Sequence, residues 1–144
     1  MFHKILIALD HSRADAELIS RVAQLARLTG AHIVLLHVST GWAAAWQEQL
    51  NLADSPEMVE DRQYLERMGK EVQSQGIPVE LRHANGKPAE AILKTAREEK
   101  CDLITMATHG HRGLSDIIYG ETIDKVRHES EIPIFLIKPP AESN

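Results

Sequence analysis

Short apolar runs alternate with helix-period segments along the whole chain, and few folds accept that rhythm. Residues 4–9 (KILIAL), 32–38 (HIVLLHV), 102–106 (DLITM) and 132–137 (IPIFLI) are strand-length runs, and 78–83 (PVELRH) is a weaker, alternating one. Runs that are apolar at nearly every position suit strands covered on both faces, as in a parallel sheet. Between them the period changes to that of a helix. Leu18, Val22 and Leu25 share a face within residues 13–29, and Gly30 is a stop. Leu65, Met68 and Val72 repeat the pattern in residues 57–75, which Gly76 closes. Ala89, Ile92, Leu93 and Ala96 do so in residues 87–99, and Ile123 with Val126 in residues 120–129. The order β-α-β-α-β-α-β-α-β predicts a doubly wound α/β fold, a three-layer sandwich around a parallel sheet. The 144 residues make one domain, expected over 1–138, with a loose tail over 139–144.

Composition narrows the function classes. A net charge of −5 lacks the basic stripe of a nucleic-acid binder. The apolar runs fall well short of the ~20 residues that a membrane-spanning helix needs. The first ten residues carry no signal-peptide pattern. The single cysteine, Cys101, precludes an internal disulfide and reads as an inert buried thiol in a reducing compartment. These features predict a cytoplasmic protein that binds neither membrane nor nucleic acid.

In open α/β sheets ligands bind outside the carboxyl ends of the strands, where the strand order reverses. Those ends hold Ala8 and Asp10 after the first run, Val38 after the second, and Met106 to Gly113 after the fourth. The segment 107–122 (ATHGHRGLSDIIYGET) carries Gly110, Gly113 and Gly120, which would let backbone amides approach a ligand. The last helix is expected to begin near Gly120, aiming its free N–H groups and positive dipole end at the same place. Arg112 and His111 lie between the glycines. This is the layout of an anion cradle, although glycines in a β–α loop also serve as plain turn residues. Asp10 is placed to accept from ribose hydroxyls, and Asp10 or Ser12 to cap the first helix, two roles that do not exclude each other.

Other constellations read as ordinary structure. Asp10, His11 and Ser12 are consecutive, and adjacent side chains diverge rather than form a triad. His109 and His111, among eight histidines, lack structural-zinc spacing, so no dedicated metal site is expected. His32 and His37 sit in a strand and read as core or edge histidines. Trp42, Trp46 and Leu50 recur at helical spacing, as a packed helix or as a lid. The run 132–137 is the final strand and should be a sheet edge, which self-pairing in a homodimer would cover.

The chain resembles the universal stress protein family. The resemblance rests on KILIALDHS at 4–12, IVLLHV at 33–38, GKPAEAIL at 86–93, CDLITMATHGHRGL at 101–114 and YGETIDKVRHESEIPIFLI at 119–137. It implies a five-stranded parallel sheet of order 3-2-1-4-5, of the adenine-nucleotide alpha-hydrolase-like type, and a homodimer through Ile132 to Ile137. In one branch it implies ATP, with Mg, held by a loop G-x2-G-x9-G-S/T. Carried over, the adenine and ribose side falls to Ala8, Asp10 and Val38, and the phosphate side to Gly110 and Gly120. The neighbours Met106, Arg112, Gly113 and Thr122 complete the expected site, and no residue is expected to be catalytic. Two positions depart from the loop. Ala107 replaces its first glycine, and Glu121 replaces its hydroxyl residue. A glutamate there has three placements: folded into the anion position, turned outward, or ligating a divalent ion that bridges to phosphate. The implied function is a regulatory or protective stress protein that binds an adenine nucleotide, at most a slow ATPase. The alternative is a nucleotide-free homodimer acting through protein partners, with Glu121 in the phosphate position. A third, a substrate-adenylating enzyme, lacks the SGGxDS, HxGH and KMSKS signatures.

Overall fold

The structure is a computed structural model that describes residues 1–40, 56–108 and 114–140. In chain order its elements are β1 (Lys4–Leu9), α1 (Ala14–Thr29), β2 (His32–Ser39), α2 (Pro56–Ser74) and β3 (Val79–Asn85). They continue with α3 (Pro88–Glu98), β4 (Leu103–Ala107), α4 (Leu114–Glu129) and β5 (Ile134–Ile137). The strands form one parallel sheet in the order β3-β2-β1-β4-β5. Both the alternation and the order agree with the expectation from sequence.

β1 occupies the centre because both of its faces are apolar. Ile5, Ile7 and Leu9 point to one side, where α1 and α2 add Leu18, Val22, Leu65 and Val72. Leu6 and Ala8 point to the other, where α3 and α4 add Ile92, Leu93, Ile123 and Val126. Each fully buried aliphatic side chain contributes about 1.5–3 kcal/mol, so two such layers hold the sheet without cross-links. Cys101 lies within the second layer, and burial pushes its thiol up to about 11, which keeps it protonated.

Local signals set most element ends. Gly30 takes φ +74° and donates to the Ala26 carbonyl, closing α1. Pro88 opens α3, where its missing N–H is harmless. β5 starts two residues later than the run 132–137 suggests. Pro133 has no N–H for the ladder, and the Ser130 hydroxyl bonds both backbone groups of Ile132. α4 differs more. It begins at Leu114, not near Gly120, so Gly120 lies within the helix. A glycine in a helix interior weakens the helix by about 0.5–1 kcal/mol relative to alanine without terminating it.

Glu99, just past α3, ties the central strand to the β3 edge of the sheet. Its carboxylate accepts from Lys4 of β1 at 2.9 Å and from Arg82 of β3. The Lys4 hydrogen bond, with Glu80 and Arg82 adding to it, holds Glu99 down to about 2. A folded-state value below the unfolded one means stability that is complete above about 4.5 and lost as pH falls toward 2. Glu99→Gln is therefore expected to flatten the acid limb of a stability-versus-pH curve over that window. An unchanged limb in urea titrations would refute the assignment.

Candidate functional site

The strand order reverses between β1 and β4, so the chain leaves their carboxyl ends in opposite directions. Period-2 alternation then sorts the expected site residues by face. Ala8, Val38 and Met106 all lie on the α3/α4 side. Ala8 and Met106 are buried, so they offer backbone and a small apolar floor, while Val38 is half-buried. Asp10 is half-buried one residue beyond β1. Ala107 faces the other way: its methyl packs with Leu9, Leu103 and Ile137 in the α1/α2 layer. The extra carbon that distinguishes it from glycine therefore points away from the Ala8 and Val38 side.

Thr122 is buried, whereas Gly120 and Glu121 are exposed on α4. Exposure of Glu121 speaks against the placement in which it is folded into the anion position. With the helix beginning at Leu114, the expected cluster of free amides at Gly120 is not formed: that residue lies six positions inside α4. Gly110, Arg112 and Gly113 lie outside the described residues, as do His109, His111, Trp42 and Trp46.

A second constellation sits at the same end of the sheet but on the α1/α2 face. His37 and Ser39 alternate with Val38 and so point opposite to it. His37 is buried, and its Nδ1 meets the Leu9 carbonyl at 3.1 Å, which makes that nitrogen the protonated one. Its Nε2 faces Asp61 Oδ2 of α2 at 3.3 Å. The Ser39 hydroxyl donates to the same oxygen at 2.8 Å and contacts His83 Nε2 at 2.6 Å. His11 Nδ1 contacts Asp61 Oδ1 at 3.1 Å. Burial pushes the Asp61 carboxyl up, but the Ser39 and His11 bonds, with His37, outweigh it and hold the group below the usual carboxylate range.

His11 is held in an uncommon conformation, φ +61°. Asp15, buried in the first turn of α1, fixes it. Its Oδ2 accepts from the His11 N–H at 2.9 Å and from the Tyr64 hydroxyl at 2.6 Å, and its Oδ1 accepts from the Asp10 N–H at 3.1 Å. Burial, reinforced by the Asp10 charge, pushes Asp15 up to about 6. Burial and the Asp15 bond raise the Tyr64 hydroxyl above its ordinary range, and its ring stacks on His11 with centroids 3.9 Å apart. Ser12 Oγ accepts from the Ala14 N–H, so the hydroxyl caps α1 and no triad forms with Asp10 and His11.

Asp15, Asp61, Tyr64 and His83 were not singled out from the sequence. Asp61 and Tyr64 do carry a signal: they fall at i and i+3, in line with Leu65 and Met68 on the buried face of an amphipathic helix. A carboxylate on such a face needs partners, and histidines on a neighbouring strand supply them.

The profile of the universal stress protein family, Usp, matches residues 1–138. Universal stress protein YxiE of Bacillus subtilis is 27% identical over 148 residues, covering 96% of this chain and all of the relative. The solved structure of MJ0577 from Methanocaldococcus jannaschii shares 26% identity at a TM-score of 0.79, covering 99% of each chain. A universal stress protein from Archaeoglobus fulgidus, solved in complex with dAMP, shares the fold at 20% identity and a TM-score of 0.70, covering 94% of this chain and 98% of its own. The five-stranded 3-2-1-4-5 sheet, with four helices among the described residues, is the adenine nucleotide alpha-hydrolase-like fold of these proteins. With the profile matched from the first strand through the last, the chain belongs to the universal stress protein family.

Proposed function

We propose that this protein binds an adenine nucleotide, ATP with Mg or a relative of it, at the carboxyl ends of β1, β2 and β4, and acts as a regulatory or protective stress factor. The observation that carries the reading is the convergence of Ala8, Val38 and half-buried Asp10 at the strand-order reversal. A small apolar floor beside a carboxylate suits a purine and its ribose hydroxyls. The dAMP complex of the Archaeoglobus fulgidus relative supports the same class of ligand. Gly110, Arg112, Gly113 and the Thr122 hydroxyl are assigned to the phosphates, whereas Gly120, inside α4, offers them no free amide. Glu121, being exposed, leaves that side free of its carboxylate, which disfavours the nucleotide-free alternative. The reading includes no general base and no arginine finger, so turnover of ATP is expected to be slow.

Calorimetry of the full chain with ATP, ADP and dAMP tests the assignment. Saturable binding of one nucleotide per chain is expected, and no heat at millimolar ligand would overturn it.

The same reading pairs two chains through β5. Among the described residues that strand bonds only β4, and it presents Phe135 at 44% and Leu136 at 40% exposure. A bare apolar edge of this kind invites another strand, and an isologous partner satisfies both copies at once. Light scattering is expected to give a dimer for the natural chain and a monomer for Leu136→Glu. A monomer for the natural chain would remove the proposal.

A further inference from the structure

The cluster on the α1/α2 face has the donor chemistry of a metal site, separate from the nucleotide reading. We infer that His11 Nδ1, His37 Nε2 and a carboxylate oxygen of Asp61 bind a transition-metal dication of the zinc class, leaving a fourth position open to solvent. The three ligand atoms lie within 4.8 Å of one another. Tetrahedral zinc with bonds near 2.0–2.1 Å sets its ligands about 3.3 Å apart. His11 Nδ1 lies 3.1 Å from Asp61 Oδ1 and His37 Nε2 3.3 Å from Asp61 Oδ2, so each imidazole already sits at about that separation from one oxygen of the shared carboxylate.

Proton placement argues the same way. With its Nδ1–H given to the Leu9 carbonyl, a neutral His37 turns the lone pair of Nε2 toward a carboxylate oxygen. Two acceptors face each other there, and a cation between them, a proton or a metal ion, resolves the contact. A backbone carbonyl that fixes the far nitrogen of a ligating histidine is the usual support of a metal-bound imidazole. Ser39 plays the corresponding part for Asp61, and His83 stands behind Ser39.

The ligands are held before any ion arrives. They come from the loop after β1, from β2 and from α2, three separately packed elements. His11 keeps its left-handed backbone because Asp15 accepts its N–H and Tyr64 stacks on its ring. Strain of this kind, held by surrounding structure, is characteristic of ligand sites. Access is one-sided: the His37 side chain is 7% exposed and that of His11 32%. Two imidazoles and one carboxylate select zinc, cobalt, nickel or copper over magnesium and calcium, which demand mostly oxygen ligands. On binding, a proton held on either ligating nitrogen leaves to the buffer, and the ion takes its place.

The test is calorimetric titration of chelator-stripped full chain with Zn²⁺, without nucleotide, so that failure of the nucleotide reading leaves the result untouched. One ion per chain at low-micromolar affinity or tighter is expected. His11→Asn keeps a residue that tolerates the backbone conformation, and Asp61→Asn keeps the shape and an acceptor for Ser39. Each is expected to weaken binding at least roughly 100-fold with melting in chelator little changed. The pair His109→Ala with His111→Ala is expected to leave binding intact. Co²⁺ on the natural chain, needing no variant, should give the intense visible bands of a tetrahedral site. Absence of saturable zinc binding, unchanged affinity in His11→Asn, loss of binding in the His109/His111 pair, or a weak octahedral cobalt spectrum would each overturn the inference.

Discussion

Ile7→Ala is expected to destabilise the protein by about 2–5 kcal/mol, read as a lower urea midpoint with an unchanged slope. Ile7 sits in the middle of the central strand with no exposed surface. Its backbone lies between Leu35 of β2 and Thr105 of β4 in register, and its side chain packs under α1. The strands on either side are themselves pinned by ladders, so the space left by the missing carbons cannot close by a local shift. Both the transfer loss and the cavity loss are then felt in full. At about 3 °C per kcal/mol for a domain of this size, the melting temperature should fall by roughly 6–15 °C. Ile7→Val, which leaves most of the volume filled, should fall by about 0.5–1.5 kcal/mol only. A drop under 1 kcal/mol for the alanine variant would mean that β1 is not the organising strand.

Asp10→Asn is expected to weaken adenine-nucleotide binding roughly 10–100-fold, since a hydrogen bond to a charged group contributes about 1.5–3 kcal/mol. The substitution should leave the fold in place. Asp10 adds to the charge that pushes the buried Asp15 upward, so removing that charge relieves a repulsion, and asparagine keeps the shape and a hydrogen-bonding group at the position. Calorimetry with ATP and with 2′-deoxy-ATP separates the two effects. If the carboxylate meets the ribose, the natural chain should prefer ATP and the variant should lose most of that preference. Equal affinities in both proteins would place the ribose elsewhere and detach Asp10 from the site.

The cluster around Asp61 shows how far a linear reading carries. His37 reads as an ordinary strand histidine and His11 as one member of a false triad. Asp61 reads as one more polar residue of a long helix. None of the three has a partner within metal-ligand spacing along the chain, because only the packing of α2 against the β1 and β2 ends brings them together. The proposed nucleotide side is legible earlier. Asp10 and Val38 follow apolar runs whose carboxyl ends must lie together in any parallel sheet, so their convergence is implied before a coordinate exists. Glu121 is intermediate: its charge is plain in the sequence, but its outward direction depends on where α4 begins.

Periodicity along the chain was enough to dictate the β-α alternation, the parallel sheet and the buried faces, because burial on two sides or one writes directly into the spacing of apolar residues. The stops at Gly30 and Gly76 and the start at Pro88 were equally local, being matters of φ and of a missing N–H. Packing alone decided that α4 runs through Gly120, that the Ala107 methyl turns away from the Ala8 and Val38 side, and that two histidines and an aspartate from three elements meet. Such outcomes depend on contacts between residues far apart in the chain, whose energies exceed the weak local preferences that a sequence displays.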